Sequence, residues 1–186
     1  MAMPLATRRF TVDEYHRMAE VGILREDDRV ELLDGQIVEM TPIGRRHAAC
    51  VTRLTHLVAP LAGGGATLRI QSSLIVGEDQ EPQPDVALVR YRSDGYETGH
   101  PRGPDTLLVI GVADTSVESD QERKLPLYAR AGIPETWLAN LPGDALELYR
   151  EPRAGTYTGV RTARRGDTVA PLAFPNRVLP VDDILG

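Results

Sequence analysis

Two short, nearly continuous apolar runs constrain the fold of this chain more than any other feature. The first covers residues 85–89 and the second covers residues 106–113. Runs of this kind are typical of strands that are buried on both faces of a sheet. After them, Asp120, Lys124 and Tyr128 follow one another at the four-residue spacing of one helix face. This segment therefore predicts two buried strands and a helix, around which the rest of the chain is interpreted.

Charged residues stand where these predicted elements begin and end. Asp85 opens the first strand directly after Pro84, and a carboxylate beside a buried strand is costly unless it is solvated, paired or bound to a metal. Because proline and aspartate are also ordinary turn residues, a strand-initiating turn is the alternative interpretation. Lys124 would point towards the strand ends, where a lysine offsets the charge that develops on a phosphate. The alternative for Lys124 is an exposed ion pair with Asp120, worth about 0.3–0.5 kcal/mol.

The first part of the chain predicts a helix and a hairpin. Thr11 and Glu14 have the spacing of a capping box, which indicates a helix that runs through about residue 19. Asp34 and Gly35 separate two alternating runs, which is a strong hairpin signal. Glu31 lies on the first strand of this hairpin, either as a solvated strand residue or as part of a functional site.

A second helix is predicted over about residues 47–61, where three glycines end it. His47, near its start, is a candidate to contact a phosphate or to act in the site, and an ordinary capping or surface role is the alternative. Arg45, Arg46 and Arg53 form the best basic patch near this helix entrance, where the helix dipole also favours phosphate. A solvated charged face is the commoner explanation of such a patch.

Alternating residues predict a strand over 66–76, whose Gln71 is a candidate to orient a water molecule or contact a nucleic-acid backbone. Residues 90–105 are rich in turn formers and charges, which is typical of a mobile or substrate-facing loop. Later strands are expected at 135–139 and 146–149, which pair with each other, and as a strand pair within 156–169.

Several pieces of the chain, taken in order, match one known family pattern. They are Pro84-Asp85, the aliphatic run at 108–112, the stretch 124–137, the hairpin stretch 30–35 and His47. Each piece alone is weak, but the ordered set covers about residues 10–150 without large gaps. In this set the chain resembles the Uma-type restriction-endonuclease family, which belongs to the PD-(D/E)XK nuclease superfamily.

The resemblance implies a restriction-endonuclease-like fold of the α/β (α+β) class. In this fold a mixed central β-sheet is flanked by helices, and here the N-terminal helix and β-hairpin would accompany it. The resemblance also implies a Mg²⁺ or Mn²⁺ site built from Asp85, from a glutamate after the aliphatic run of the second strand, and from Glu31. The catalytic lysine of the family is matched by Lys124 on the helix.

The chain departs from the family pattern at Gly111, where the family has its glutamate. Mg²⁺ is typically held by one or two carboxylates, so the loss of one removes both a ligand and a negative charge. Asp114 is the candidate substitute ligand, although strand alternation would turn it to the opposite face unless the strand has already ended. We therefore expect a weak or inactive nuclease centre.

Length and composition fit one ordinary globular domain over residues 1–186, with residues 1–10 as a loose leader. The net charge of −6 argues against nucleic-acid binding by bulk charge alone, but it leaves room for a local basic groove. The one cysteine, Cys50, allows no intramolecular disulfide. No apolar run approaches the roughly 18 residues of a membrane span, and no signal-peptide core is found. Together these features predict a cytoplasmic protein.

Two functions from different classes follow from these observations. The first is a metal-dependent endonuclease that hydrolyses phosphodiester bonds, impaired at Gly111, with DNA as the expected substrate and RNA as the alternative. A homodimer would supply the two sites that cutting both strands needs. The second is a catalytically degenerate nuclease fold that binds nucleic acid or protein. Metal affinity would separate these two functions, since an intact site should bind Mn²⁺ or Mg²⁺ and lose it in Asp85→Ala. A structural domain without a nucleic-acid ligand is a third alternative.

Overall fold

The computed structural model describes residues 7–63, 65–115, 117 and 120–186 of the chain. The α-helices are α1 (Val12–Glu20), α2 (Arg45–Ala62), α3 (Leu125–Arg130) and α4 (Val181–Leu185). The strands are β1 (Val30–Leu33), β2 (Gln36–Glu39), β3 (Ala66–Ile70), β4 (Val86–Arg90), β5 (Thr106–Ala113), β6 (Glu135–Asn140), β7 (Ala145–Arg153), β8 (Thr156–Arg164), β9 (Thr168–Val169) and β10 (Leu179–Pro180). A 3-10 helix covers Gly103–Asp105, and a π-helical turn covers Asp120–Lys124.

Six strands form a mixed central sheet in the order β3-β4-β5-β6-β7-β8. Neighbouring strands are antiparallel except β5 and β6, which are parallel, with Gly111 opposite Leu138. A parallel pair requires a crossover connection, and the π-helical turn and α3 lie within it. The two apolar runs become β4 and β5, side by side in the sheet, as the sequence predicted. The mixed sheet with flanking helices confirms the predicted fold class.

The two faces of the sheet are covered differently. On one face, α2 and α4 pack over the main core, in which Trp137 and Ile110 are fully buried. Fully burying a large apolar side chain stabilises the fold by about 1.5–3 kcal/mol. The other face carries a smaller cluster that includes Val109 and, from α3, Tyr128. Because side chains alternate along a strand, position 111 faces the same side as Val109, towards α3.

The helix and hairpin of the N-terminal part form as predicted. The Thr11 side chain accepts the Glu14 N–H at 3.2 Å, and the Glu14 carboxylate accepts the Thr11 N–H at 3.1 Å, which completes the capping box. β1 and β2 pair antiparallel, and Asp34 and Gly35 between them have φ angles of 49° and 66°. A Cβ atom at Gly35 would also lie 2.5 Å from that of Arg9. The turn therefore requires glycine at this position.

Two predicted strands are wrong in extent or in pairing. The strand predicted over 66–76 ends at Ile70, because Gln71 adopts a φ of 43° and its N–H donates to the carbonyl of Asp85. The strand pair predicted within 156–169 does not form. Instead β8 pairs with β7, and the two-residue β9 pairs with β10 near the end of the chain. In both places, partners outside the local sequence decide the hydrogen-bonding pattern.

The segment before α1 is tied to the hairpin where the structure describes it. Residues 1–6 of the predicted leader lie outside the described residues, and the Phe10 N–H donates to the carbonyl of Gly35 at 2.8 Å.

The second predicted helix begins two residues earlier than expected, at Arg45. Cys50 on this helix is buried and free. Of the helices in the described ranges, none is both long enough and apolar enough to cross a membrane.

Candidate functional site

A cleft of about 240 Å³ lies where the beginning of β4 and the end of β5 meet the hairpin and the start of α2. A smaller cavity of about 30 Å³ adjoins it and is lined by Gly111. Most of the residues that the sequence suggested for the site line the larger cleft, namely Glu31, His47, Gln71, Asp85, Asp114 and Lys124. The fold thus brings together side chains that are up to 93 positions apart in the sequence, from 31 to 124.

Asp85 lies directly before the central strand β4, and several groups contact its carboxylate. Its Oδ2 atom accepts the N–H of Val112 on the neighbouring strand β5 at 2.8 Å. Its Oδ1 atom lies 3.0 Å from Nε2 of His47 and 3.5 Å from Nε2 of Gln71. The side chain is half-buried and lines the cleft. These contacts fix a negative charge at the place where the two central strands meet the cleft.

His47 lies in the first turn of α2 and faces Asp85. The hydrogen bond to the Asp85 carboxylate raises the pKa of His47, burial opposes this rise, and the charges of Asp85, Asp120 and Asp114 add to it. Its Nδ1 atom is buried and lacks a hydrogen-bond partner within the described chain. His47 is therefore protonated more readily than a free histidine, which places a titratable cation beside Asp85.

Lys124 and Glu31 form an ion pair beside Asp85. Nζ of Lys124 lies 2.9 Å from Oε1 of Glu31, whose side chain is only 6% exposed. The other oxygen of Glu31 accepts the N–H of Gln83 at 3.1 Å. Lys124 ends the π-helical turn, and an oxygen of Asp120 lies 3.9 Å from its Nζ. Lys124 and Asp120 are half-buried in the cleft, so they are not the exposed helix pair that the spacing alone would allow.

Gly111 leaves an open space at the position where the resemblance led us to expect a glutamate. The small cavity at this position is also lined by Asp85, Asp120 and Lys124. A Cβ atom at Gly111 would have Leu138 Cδ1 as its nearest neighbour, at 3.4 Å, and the φ angle of Gly111 is not in the left-handed region. The backbone therefore accepts a side chain here, and nothing in the strand geometry requires glycine.

Asp114 and Arg46 pair at another side of the cleft. β5 ends at Ala113, so strand alternation no longer orients Asp114, and its side chain lines the cleft. Its Oδ1 atom accepts a hydrogen bond from Arg46 Nη1 at 3.2 Å, and Arg46 Nη2 donates to the carbonyl of Leu141. The Arg46 side chain remains 66% exposed. Asp114 is therefore already engaged by an arginine that stays accessible to a phosphate.

Asp120 is the residue of this site that the sequence interpretation missed. Its carboxylate lines both the cleft and the small cavity at Gly111. The four-residue spacing between Asp120 and Lys124 was the available signal, but it is also the spacing of an ordinary helix pair. Asp120 borders the space at Gly111, whereas Asp114 lines only the larger cleft.

The cleft is rich in negative charge. The pKa of the buried Tyr128 hydroxyl is raised well above its ordinary value, first by burial and then by the charges of Glu31, Asp120 and Asp85. Such a cleft repels the phosphates of a nucleic acid unless cations enter it. The charged residues that line it are Glu31, Glu39, Asp85, Asp114 and Asp120 against Arg29, Arg123 and Lys124.

These donors suit a hard divalent cation that keeps part of its hydration shell. Mg²⁺ takes octahedral oxygen ligands, usually one or two carboxylates completed by water and substrate phosphate. Asp85 and Asp120 provide two carboxylates around the small cavity. The acidic groups of the cleft that the structure describes do not bring three ligand atoms within 4.8 Å of one another. The residues therefore fit a Mg²⁺ or Mn²⁺ ion that is held weakly, and they do not form a complete coordination site in advance.

A mixed sheet with carboxylates and a lysine gathered at the ends of its central strands is the arrangement that the family resemblance implied for a nuclease-like α/β domain. The crystal structure of a putative nuclease belonging to DUF820 from Anabaena variabilis ATCC 29413 has a similar fold, with a TM-score of 0.72 and 15% sequence identity. The match covers 95% of this chain and 97% of that one. The model of the Uma2 family, described as "Putative restriction endonuclease", matches residues 12–182. The chain belongs to this family, as its motifs indicated. No curated protein matches it.

Proposed function

We propose that this chain is a divalent-cation-dependent endonuclease whose activity is low because Gly111 supplies no carboxylate. The observation that carries the proposal is the convergence of Asp85, Asp120 and Lys124 around the space at Gly111. Carboxylates attract a divalent cation, and a lysine beside them stabilises charge on a phosphate. Membership of the Uma2 family supports nuclease as the class of enzyme.

In this proposal Asp85 and Asp120 hold the cation. When bound, Mg²⁺ or Mn²⁺ would polarise the phosphate and lower the pKa of a water molecule. The chain itself orients the Asp85 carboxylate through the Val112 N–H and holds Lys124 against Glu31. From that position Lys124 offsets negative charge on a phosphate that enters the cleft. Because one expected carboxylate is absent, cation affinity limits the rate.

We propose DNA as the substrate, with RNA as the alternative to be tested in the same assays. The N-terminus of α2 supports phosphate contact, because Gly44 provides no side-chain cap and the first turn contains no acidic residue. Arg46 in that turn is exposed, and His47 and Gln71 line the cleft. A homodimer would supply two sites for cutting both strands. The free Cys50 is consistent with our proposal of a cytoplasmic location.

The second candidate function is binding of nucleic acid or protein without hydrolysis. One observation favours it: both oxygens of Asp85 already contact protein donors, namely the Val112 N–H and the His47 ring. A cation would have to bind these oxygens through the lone pairs that the two contacts leave free, or replace one of the contacts. If it does not, the cleft remains a surface for a partner and not a hydrolytic centre.

The deciding experiment is cleavage of supercoiled plasmid with Mg²⁺ or Mn²⁺, comparing the unmodified chain with Gly111→Glu. Asp85→Ala in each background controls for contaminating nucleases. We expect weak cleavage by the unmodified chain that requires Asp85 and is abolished by Asp120→Asn. Gly111→Glu should increase the rate by roughly 10- to 100-fold, which is at least the size of the loss seen when a group that supports a metal ligand is removed.

Other outcomes assign the function differently. If only Gly111→Glu cuts, and Asp85→Ala abolishes that cleavage, the chain as it stands has the second candidate function. If the Asp120→Asn variant cuts as well as the unmodified chain, a group other than Asp120 holds the cation. If neither form cuts plasmid, single-stranded DNA or RNA, the proposed nuclease activity is wrong.

A further inference from the structure

A second cluster of metal-ligating side chains shares no residue with the cleft. His16 on α1, Glu81 in the segment before β4 and His100 in the segment after β4 each provide one ligand atom, and these atoms lie within 4.8 Å of one another. Within the described ranges, these residues are the one group of three or more histidine, cysteine or acidic residues whose ligand atoms lie so close together. Three segments that are distant in sequence thus converge on one point.

Glu81 is the buried member of this cluster. Its side chain is only 2% exposed, and its Oε2 atom lies 2.6 Å from Nε2 of His16. Its backbone is fixed by two hydrogen bonds with Leu32, one from the Glu81 N–H at 2.8 Å and one to the Glu81 carbonyl at 3.3 Å. A buried carboxylate is costly unless it is paired or coordinates a metal. Its contacting partner His16 is charged only when protonated.

His100 is the third member of the cluster. Its ring lies edge-on to that of His16, with ring centroids 5.7 Å apart. The next residue, Pro101, accepts the N–H of Ile75 at 3.0 Å, which anchors the backbone beside His100. Both histidines line an open cavity of about 520 Å³. The other charged residues that line this cavity are Asp13, Glu97 and Asp105 against Arg92 and Arg102.

Two imidazoles and one carboxylate form a recognised ligand set for Zn²⁺, with a fourth position left for water. Zn²⁺ bonds of about 2.0–2.2 Å place the ligand atoms of a tetrahedral site roughly 3.3–3.5 Å apart. His16 and Glu81 are closer than this and would separate by less than about 1 Å when a cation replaces their hydrogen bond. The ligand atom of His100, which is exposed, lies within 4.8 Å of the other two and would move inward by up to about 1.5 Å. The open cavity leaves room for the water ligand.

We propose that His16, Glu81 and His100 form a site for one Zn²⁺ ion. The ion would fasten α1 and the segment around His100 to the segment that leads into Asp85. Because its three ligands come from three separate segments, binding would cross-link those segments and stabilise their packing. The site is distinct from the proposed nuclease centre and does not depend on that function.

The test is calorimetric titration of Zn²⁺ into the full chain, produced without an affinity tag and first stripped with a chelator. We expect one Zn²⁺ per chain and a higher melting temperature with Zn²⁺ present. His100→Ala should lower the affinity by at least roughly 100-fold, because removing a ligand costs more than removing a residue that only supports one. His56→Ala is the matched control, since His56 is an exposed histidine on α2.

Two further arms separate this site from the cleft. Asp85→Ala should leave Zn²⁺ binding unchanged, and excess Mg²⁺ should not displace Zn²⁺, because Mg²⁺ prefers an all-oxygen environment. Co²⁺ should give the intense visible absorption of a tetrahedral site in the unmodified chain and in His56→Ala, and lose it in His100→Ala. Circular dichroism of His100→Ala confirms that the variant is folded. The proposal is overturned if the unmodified chain binds no Zn²⁺, or if folded His100→Ala and His16→Gln bind it equally well.

Discussion

Replacing Gly111 tests, through stability as well as through activity, whether the space at this position accepts a carboxylate. Gly111→Ala adds a Cβ atom whose nearest neighbour, Leu138 Cδ1, is 3.4 Å away, at a backbone conformation open to any residue. Where the geometry permits it, replacing glycine by alanine stabilises a protein by about 0.4–1 kcal/mol, because the unfolded chain loses conformational freedom. We expect this increase in the free energy of unfolding for Gly111→Ala.

Gly111→Glu adds a negative charge beside Asp85 and Asp120, whereas Gly111→Gln adds a side chain of the same size without charge. Two like charges about 5 Å apart repel by roughly 3 kcal/mol at an effective dielectric constant of about 20. Lys124 lines the same cavity and offsets part of this repulsion. In the absence of divalent cations at pH 7, we expect Gly111→Glu to be about 1–2 kcal/mol less stable than Gly111→Gln.

A bound cation should reverse this order. A ligand at 100 times its dissociation constant stabilises the folded state by about 2.7 kcal/mol. Saturating Mg²⁺ should therefore raise the free energy of unfolding of Gly111→Glu above that of Gly111→Gln. The assay is urea unfolding followed by the fluorescence of Trp137, which is the single tryptophan and is fully buried. Equal stability of the two variants in chelator, or equal stabilisation of both by Mg²⁺, would refute this reasoning.

Three further changes probe individual contacts of the cleft. Lys124→Met should lower the free energy of unfolding by about 3 kcal/mol because it leaves Glu31 buried without its cation, and adding Glu31→Gln should recover most of the loss. His47→Gln should destabilise the chain most below about pH 6.5. The pKa of His47 is raised in the folded state, so its contribution is complete below its unfolded pKa and is lost as the pH rises through the folded pKa. Arg46→Ala should weaken binding of labelled DNA and reduce the salt dependence by about 0.9 in log–log slope, whereas the exposed Arg153→Ala should not.

Each of these three predictions has a result that would contradict it. Additive effects of Lys124→Met and Glu31→Gln in urea unfolding would mean that the two side chains do not interact energetically. An effect of His47→Gln that is constant from pH 5 to pH 9 would mean that the charge of His47 does not contribute. Equal loss of DNA affinity in Arg46→Ala and Arg153→Ala, measured by fluorescence anisotropy, would place the nucleic acid outside the cleft.

The elements with a local cause were predictable from the sequence. The capping box at Thr11 and the turn at Asp34-Gly35 depend on residues three positions apart or fewer, so their sequence signals specify their geometry. The apolar run at 106–113 became a strand with the same bounds, because burial on both faces needs only continuous hydrophobicity. The end of β3 at Ile70 was not predictable, because it depends on a hydrogen bond between Gln71 and the carbonyl of Asp85.

The sequence by itself determined the family, the central strands and the absence of a carboxylate at position 111, because each of these depends only on residue identity and order. Only the tertiary structure decided that Asp120 borders the space at Gly111, and that Glu31 holds Lys124. It also decided that His16 and His100 meet around a buried glutamate. Such convergences depend on how separate segments pack against one sheet, and the spacing of residues along the chain does not encode those distances.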